Sequence, residues 1–306
     1  MPNPHVKFAR PQTATRLLRL LAIAVCVIAL ITAVHFPYAT DPETIPPATI
    51  LAVEDAYKST WDRPAPPVDP NDVDYRRILD FVRTYNLHHA KVLEVGAGTG
   101  RFQDIVPDYV GLDISASSRR HFHKPFVQAS ATAIPFPDES FDAIWTINVL
   151  EHVPHPEHAL REMRRVLRSG GYLYLSPAWQ CRPWAAQGYQ VRPWSDFGLR
   201  GKIIKASIPI RDSVAFRLVY TAPIRAIRFL SQFSGETRFR YRLLVPNYEI
   251  WWQPDSDAIN SMDPYEAIIW FTSRGDECLN YRGHLDQLTV RTGPLIFRVR
   301  KPKPVE

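Results

Sequence analysis

Residues 92–100 read VLEVGAGTG. An apolar strand, Lys91 to Val95, runs straight into three glycines at Gly96, Gly98 and Gly100. Backbone there has to turn sharply and approach a bulky ligand with no Cβ in the way. A helix is expected to follow, and its first turn would offer free N–H groups. Dinucleotide sites also open with strand, glycines and helix, but on the spacing G-x-G-x-x-G. Here the spacing is G-x-G-x-G, and an acid, Glu94, stands two residues before the first glycine. A carboxylate at that point attracts a cationic ligand bearing sulfonium and ammonium groups and repels a pyrophosphate.

The next informative run is Val110-Gly-Leu-Asp-Ile114. An acid closing a second strand can accept from both hydroxyls of a ribose. A lone aspartate there is more often a cap or turn former. In series with the glycine loop, Asp113 reads as a ligand residue.

Strands and helices then alternate. A helix is expected from Tyr75 to Tyr85, with Ile78, Leu79, Phe81 and Val82 at helical spacing. Further strands are expected at Phe126–Gln128, Phe141–Ile147 and Tyr172–Leu175. Between the last two, a helix over His158–Leu167 would be ended by Gly170 and Gly171. This alternation predicts a mostly parallel sheet covered on both faces.

Four blocks in this order carry a family resemblance: LEVGAGTG (93–100), VGLDIS (110–115), AIPFPDESFDAIWTINVLEHV (133–153) and LREMRRVLRSGGYLYLSPA (160–178). The chain resembles the class I S-adenosylmethionine-dependent methyltransferases, in particular the methyltransferase type 11 group, over about residues 75–178. The resemblance implies a Rossmann-like α/β fold with a seven-stranded sheet, and S-adenosyl-L-methionine as cofactor. It also implies residue roles. Glu94 with the backbone of Gly96, Ala97, Gly98 and Gly100 would hold the amino-acid end. Asp113 would bind the ribose, with Ile114 on the adenine and Ala131 and Thr132 beside it. Asn148 would face the cofactor near its methyl group. Two positions depart from the family pattern: Ser130 replaces a common acid that reaches the adenine amine, and Ser169 replaces a proline before the paired glycines. Pro135 to Asp142 reads as a structural turn into the fourth strand.

His152 is a candidate general base, since imidazole takes a proton near neutral pH. The Glu151-His152 pair is also common in the family whatever the substrate, so both readings stand. His121, His123 and His155 read as solvated loop residues.

The whole chain has 306 residues, net charge +6, 28 prolines and three cysteines. Sparse cysteines without ligand spacing argue against a disulfide framework or zinc site; in an oxidising compartment Cys181 and Cys278 would be free to pair. From Leu20 to Phe36 no acid or strong base interrupts an apolar run. This length approaches a membrane span and is long for a cleaved signal peptide. The expected organisation is therefore an N-terminal tail and apolar membrane segment (1–36), a Pro-rich linker (37–74) with a short helix near Thr49–Ser59, a cofactor-binding core (75–178), and an enlarged C-terminal acceptor and membrane-contact region (179–306). Flanking charge places the main domain outside the cytoplasm, whereas S-adenosylmethionine is cytoplasmic; the cofactor requirement favours the cytoplasmic face.

In the C-terminal region, Trp179 to Phe197 alternates aromatics, glycine and proline, which suits either an aromatic lid over the acceptor or loop packing. From Arg200 to Arg242, Lys202, Lys205, Arg211, Arg217, Arg225 and Arg228 interleave with apolar residues. That pattern suits an anionic membrane surface, or an ordinary pair of surface helices with solvated arginines. The run from Trp251 to Asp257, with Asn260 and Asp263, suits sugar recognition, though it equally reads as a common acidic loop with proline. Glu266–Thr272 and Leu295–Val299 are expected as strands completing the sheet. The expected function is methyl transfer to a small or lipid-linked acceptor, such as a saccharide hydroxyl, at a membrane surface. A quinone or other lipid acceptor, a catalytically inactive scaffold and a nicotinamide enzyme are the alternatives. Nucleic acid is not an expected partner, because Asn148-Val-Leu-Glu151 stands where amino-group DNA methyltransferases carry Asn/Asp-Pro-Pro-aromatic.

Overall fold

The structure, a computed structural model, describes residues 12–35, 38–40, 44–58, 60, 62 and 68–301, with side chains in the first helix described for residues 15–30. Seven strands form one sheet in the order β3-β2-β1-β4-β5-β9-β8. They are β1 (Val92–Val95), β2 (Tyr109–Asp113), β3 (Phe126–Gln128), β4 (Phe141–Ile147), β5 (Leu167–Ser176), β8 (Glu277–Cys278) and β9 (Leu295–Arg298). β6 (Tyr241–Leu243) and β7 (Asn260–Met262) make a separate antiparallel pair. The first five strands pair in parallel, and β9 and β8 close the edge antiparallel. Strand order reverses at β1, between β2 and β4, and the crevice outside the strand ends at such a point is where ligands bind.

β1 and β2 are buried along their whole length, as strands covered on both faces must be. Leu93, Val95, Leu112 and Ile144 pack on one side with Leu160 and Met163. Those two come from helix α4 (Pro156–Val166). Val92, Tyr109 and Trp145 pack on the other with Ile78, Phe81 and Val82 of α3 (Val73–Thr84). Asp72 starts α3, its carboxylate accepting from the Asp74 and Tyr75 amides at 3.0 Å.

Several sequence expectations change. Glu266–Thr272 is not a strand but most of α8 (Pro264–Thr272), which Asp263 caps by accepting from the Tyr265 amide. A short run buried on all sides has no period to tell strand from helix. Gly170 and Gly171 do not end a helix. α4 stops at Val166, β5 begins at Leu167, and the glycines lie within β5, where Gly170 takes φ 85°. No regular helix follows the glycine loop; successive turns do, with Gly100 and Gln103 amides bonding three residues back. Cys181 and Cys278 are both free and buried.

The apolar N-terminal run forms α1 (Gln12–His35); Phe36, Pro37 and the prolines at 42, 64, 66 and 67 lie outside the described residues. Among the described residues no helix is long and apolar enough to cross a membrane. The expected crossing segment is thus not found there. The linker does carry its short helix, α2 (Pro47–Tyr57).

The basic segment folds as α5 (Leu199–Arg211), α6 (Val214–Phe216) and α7 (Ala222–Ser231), and its cations largely turn inward. Arg225 grips both carboxylate oxygens of Asp263 at 2.8 and 2.9 Å, and Arg228 grips Glu266 at 2.9 and 2.7 Å. Lys205 donates to the carbonyls of Tyr189 and Arg192. Ile227 and Leu230 of α7 are instead exposed. Glu266→Ala leaves the Arg228 guanidinium buried without its carboxylate and is expected to cost about 3–5 kcal/mol in urea unfolding. The paired Arg228→Met/Glu266→Leu variant is expected to regain most of that loss.

Candidate active site

A cleft of about 170 Å³ opens beyond the ends of β1, β2 and β4. Gly96 lies at its base with φ 75°, and a Cβ there would come 2.1 Å from a Val149 methyl. Glycine therefore lets the exit of β4 close over the loop. Asp113 is buried at the end of β2. Its Oδ2 accepts from the Gly98 amide at 2.8 Å and its Oδ1 from the Ser115 amide at 2.9 Å. Burial raises its pKa, and these donors oppose the shift. Ile114 beside it is 38% exposed although apolar, which leaves a face for a flat ring to cover. Ala131 and Thr132 stand in the same lining, with Asn148, whose φ of 52° is tolerated by asparagine more readily than by most residues.

Of the residues singled out in the sequence, Gly96, Asp113, Ile114, Ala131, Thr132, Asn148 and His152 line this cleft, and Glu94, Ala97, Gly98 and Gly100 do not. Gly98 acts through its bond to Asp113, while Ala97 is buried and Gly100 turns the loop at φ 69°. Glu94 pairs in register with Gly111 of β2 and is buried, accepting a hydrogen bond from the Tyr109 hydroxyl. Burial pushes its pKa up from 4.5 to about 8, against that donation.

His152 follows β4 on a short 3-10 turn, Leu150–His152. Its Nδ1 lies 2.7 Å from the hydroxyl of Tyr57, which closes α2. That hydroxyl donates to Asp257 Oδ2 at 2.8 Å. Because the phenol proton is directed to Asp257, Nδ1 is the donor to the Tyr57 oxygen, and in the neutral ring Nε2 is then the acceptor. Burial and Asp257 raise the Tyr57 pKa far above its ordinary range, so the phenol stays protonated. Buried Glu151 stands 3.8 Å from Nε2.

Sequence reasoning missed Tyr57 and the rest of α2, whose Ile50, Val53 and Glu54 also line the cleft. In the run containing Asp257, Trp251 is exposed and Trp252 lies under the Arg192 guanidinium. Asn260 bonds the Leu150 carbonyl, and Asp263 holds Arg225. The aromatic segment after β5 is no lid on this cleft: Trp184 is buried against Ile204 and Ile208, and Trp179 bonds the Gly293 carbonyl. His155, expected in solvent, lines the cleft, and burial lowers its pKa. His123 is exposed, 2.8 Å from Asp104.

Among the described lining residues there is no lysine or arginine, whereas Glu54 and Asp113 are present. Such a wall suits a cationic ligand and opposes a pyrophosphate. The family described as "Methyltransferase domain" matches residues 93–175. The chain is 34% identical over 208 residues to the ubiquinone/menaquinone biosynthesis C-methyltransferase of Hahella chejuensis, covering 60% of this chain and 79% of that one. It is 40% identical over 95 residues to the demethylmenaquinone methyltransferase of Renibacterium salmoninarum, covering 28% of this chain and 40% of the relative. The YcgJ protein of Bacillus subtilis aligns at 27% identity and TM-score 0.30, over 34% of this chain and 51% of that one. The chain belongs to the class I S-adenosylmethionine-dependent methyltransferases. It is a methyltransferase enzyme whose cofactor is S-adenosyl-L-methionine.

The Glu94 shift has a stability consequence. Its folded pKa lies above its unfolded value, so the folded state keeps a proton that the unfolded chain releases. Its contribution is full in acid, declines as pH rises from about 4.5 to about 8, and is flat above. Urea unfolding at pH 5 and pH 8 should show a smaller fall in stability for Glu94→Gln than for the parent; equal falls count against the shift.

Proposed function

We propose that the enzyme methylates a hydroxyl of a small or lipid-linked acceptor, a saccharide hydroxyl in the first reading, at a membrane surface, with His152 as general base. The observation that carries this is the Asp257–Tyr57–His152 chain at the cleft, with bonds of 2.8 and 2.7 Å. A sugar or alkyl hydroxyl needs its proton removed as it attacks, whereas a carbon acid or a phenol needs less help. The cofactor, when bound, supplies a methyl group already activated by its sulfonium charge.

The chain's own residues do the rest. Asp113 would accept from the ribose hydroxyls with the lone pairs its amide donors leave, Ile114 would pack on the adenine, and Ala131 and Thr132 would flank it. Glu94, buried behind the loop and outside the cleft lining, would lose its proton to solvent as the cofactor binds and attract the cofactor's cationic end by charge. Asn148, in the cleft lining, would face the cofactor near its methyl group. Asp257 and Tyr57 keep Nδ1 protonated, so Nε2 takes the acceptor's proton, and Glu151 stabilises the imidazolium that results. Holding the nucleophile in line at about 3 Å is worth roughly 7–11 kcal/mol. The membrane setting is supported by the exposed apolar side chains of α1, among them Leu17, Leu20 and Leu30.

A second reading, a quinone or related lipid, is favoured by the relatives whose names refer to ubiquinone, menaquinone and demethylmenaquinone. Labelled S-adenosylmethionine incubated with membrane extracts tests both. Label in a lipid-extractable saccharide supports the first, label in a quinone fraction the second, and label only in water-soluble products counts against a lipid-linked acceptor. His152→Asn is expected to lower kcat by about 10²–10⁴. Tyr57→Phe is expected to lower kcat by about tenfold with cofactor affinity within about twofold. Unchanged kcat in His152→Asn removes it as the base. Cofactor affinity should also rise between pH 6 and 8 as Glu94 ionises, and Glu94→Gln should flatten that rise.

A further inference from the structure

Residues 214–231 form one continuous helical stretch: α6, a π turn over Arg217–Thr221, and α7. Ser213 caps its start, accepting from the Phe216 amide at 3.1 Å. A surface helix ordinarily turns its apolar stripe to the core and its charges to water. This one does the reverse. Arg225 and Arg228 point inward, each held by two bonds to a buried carboxylate, Asp263 or Glu266. Those four bonds fix the rotation of the helix about its axis. Val214, Leu218, Val219, Pro223, Ile227 and Leu230 are left outside, spaced so that they share one face. Val219 is 78% exposed, and Phe233, just beyond α7, is 73% exposed. At 1.5 Å per residue the stripe is about 25 Å long.

Two features decide what covers this face. From Leu20 to Leu30, α1 is apolar throughout and every side chain is exposed. A protein partner covers one side of such a helix, whereas lipid covers all of them. α5 packs against both α1 and α6, which makes the two apolar surfaces neighbours. The second feature is charge. Residues 12–35 and 199–231 together contain one acid, Asp212, while Arg16, Arg19, Arg200 and Lys202 are exposed. A two-fold contact sets a patch against itself, so in a dimer these cations would meet their own copies. Anionic headgroups complement them. We propose that the stretch 214–231 lies in the plane of an anionic membrane surface, its apolar stripe at the boundary of headgroups and acyl chains, with Arg200 and Lys202 meeting headgroup phosphates. This deepens the membrane setting of the functional reading and rests on it only in placing the acceptor at that same surface.

An environment-sensitive nitrobenzoxadiazole fluorophore on the full chain tests the seat. Cys26→Ser removes the exposed native thiol, Cys181 and Cys278 being buried. The fluorophore is attached at Ile227→Cys, at Leu230→Cys or, as a control, at exposed Arg83→Cys of α3. On phosphatidylcholine vesicles containing phosphatidylglycerol, blue-shifted emission quenched by spin-labelled lipid is expected at positions 227 and 230 and not at 83. Arg200→Gln and Lys202→Gln are each expected to raise the vesicle concentration for half the shift by about fivefold, with S-adenosylmethionine affinity within about twofold. In an Ile227→Glu/Leu230→Glu chain with the fluorophore at Val219→Cys, emission is expected to return to its position in water, even where α1 keeps the chain on the vesicle. Water-like emission at 227 and 230 overturns the proposal, as does an undiminished shift in the double variant. Equal half-shift concentrations on vesicles lacking phosphatidylglycerol overturn it too. A shift that arises without vesicles and grows with protein concentration assigns the face to a second copy and overturns it. Lipid-exposed 227 and 230, with radiolabelled methyl groups only in water-soluble products, supports the seat and sinks the lipid-linked acceptor alone.

Discussion

The carboxylate of Asp113 holds the working end of the sheet together. One oxygen accepts from Gly98 in the loop after β1, the other from Ser115 in the turn after β2. The two strand exits are thereby fixed at the switch point, and the crevice between them stays open. Opposite, the missing Cβ of Gly96 admits Val149. That close approach directs the chain leaving β4 so that Asn148 and His152 face the same cleft as Asp113. Each of these residues depends on the others for its position.

Two cavities among the described residues differ in their charged lining, and Asp257, beside Pro254 and Asp255 of the larger one, reaches the smaller through Tyr57. The smaller has acids and no lysine or arginine among its described lining, and the larger has an excess of arginine. The acidic side fits the sulfonium cofactor of the family to which the chain belongs. The proton chain from Asp257 through Tyr57 ends on the same side, at the His152 ring.

The C-terminal helices owe their unusual faces to buried ion pairs. Asp263 and Glu266 stand at the start of α8 and are buried. Unpaired charges there would be costly, and Arg225 and Arg228 of α7 turn inward to meet them. With the cations drawn in, Ile227 and Leu230 are left on the outer surface. A pattern that reads along the chain as basic and amphipathic becomes an apolar face over an arginine-bearing interior.

The order of β1 to β5, the glycine turn, Asp113 at its strand end and the strand β9 could all be read from residue patterns, because burial on both faces, positive φ and strand period act over a few neighbouring residues. The sequence could assign Glu94 to the cofactor's amino-acid end, but not that its side chain is buried against the Tyr109 hydroxyl. Nor did local pattern distinguish helix from strand in the fully buried run of α8. The meeting of Tyr57, His152 and Asp257 was invisible for another reason: it joins residues 95 and 200 positions apart, and no periodicity links them. The family and its cofactor were written in the sequence, since a glycine loop and a strand-end acid are local requirements of the ligand. The proton chain, the inward arginines and the second cavity were decided only when distant segments packed and each buried polar group had to find its partner.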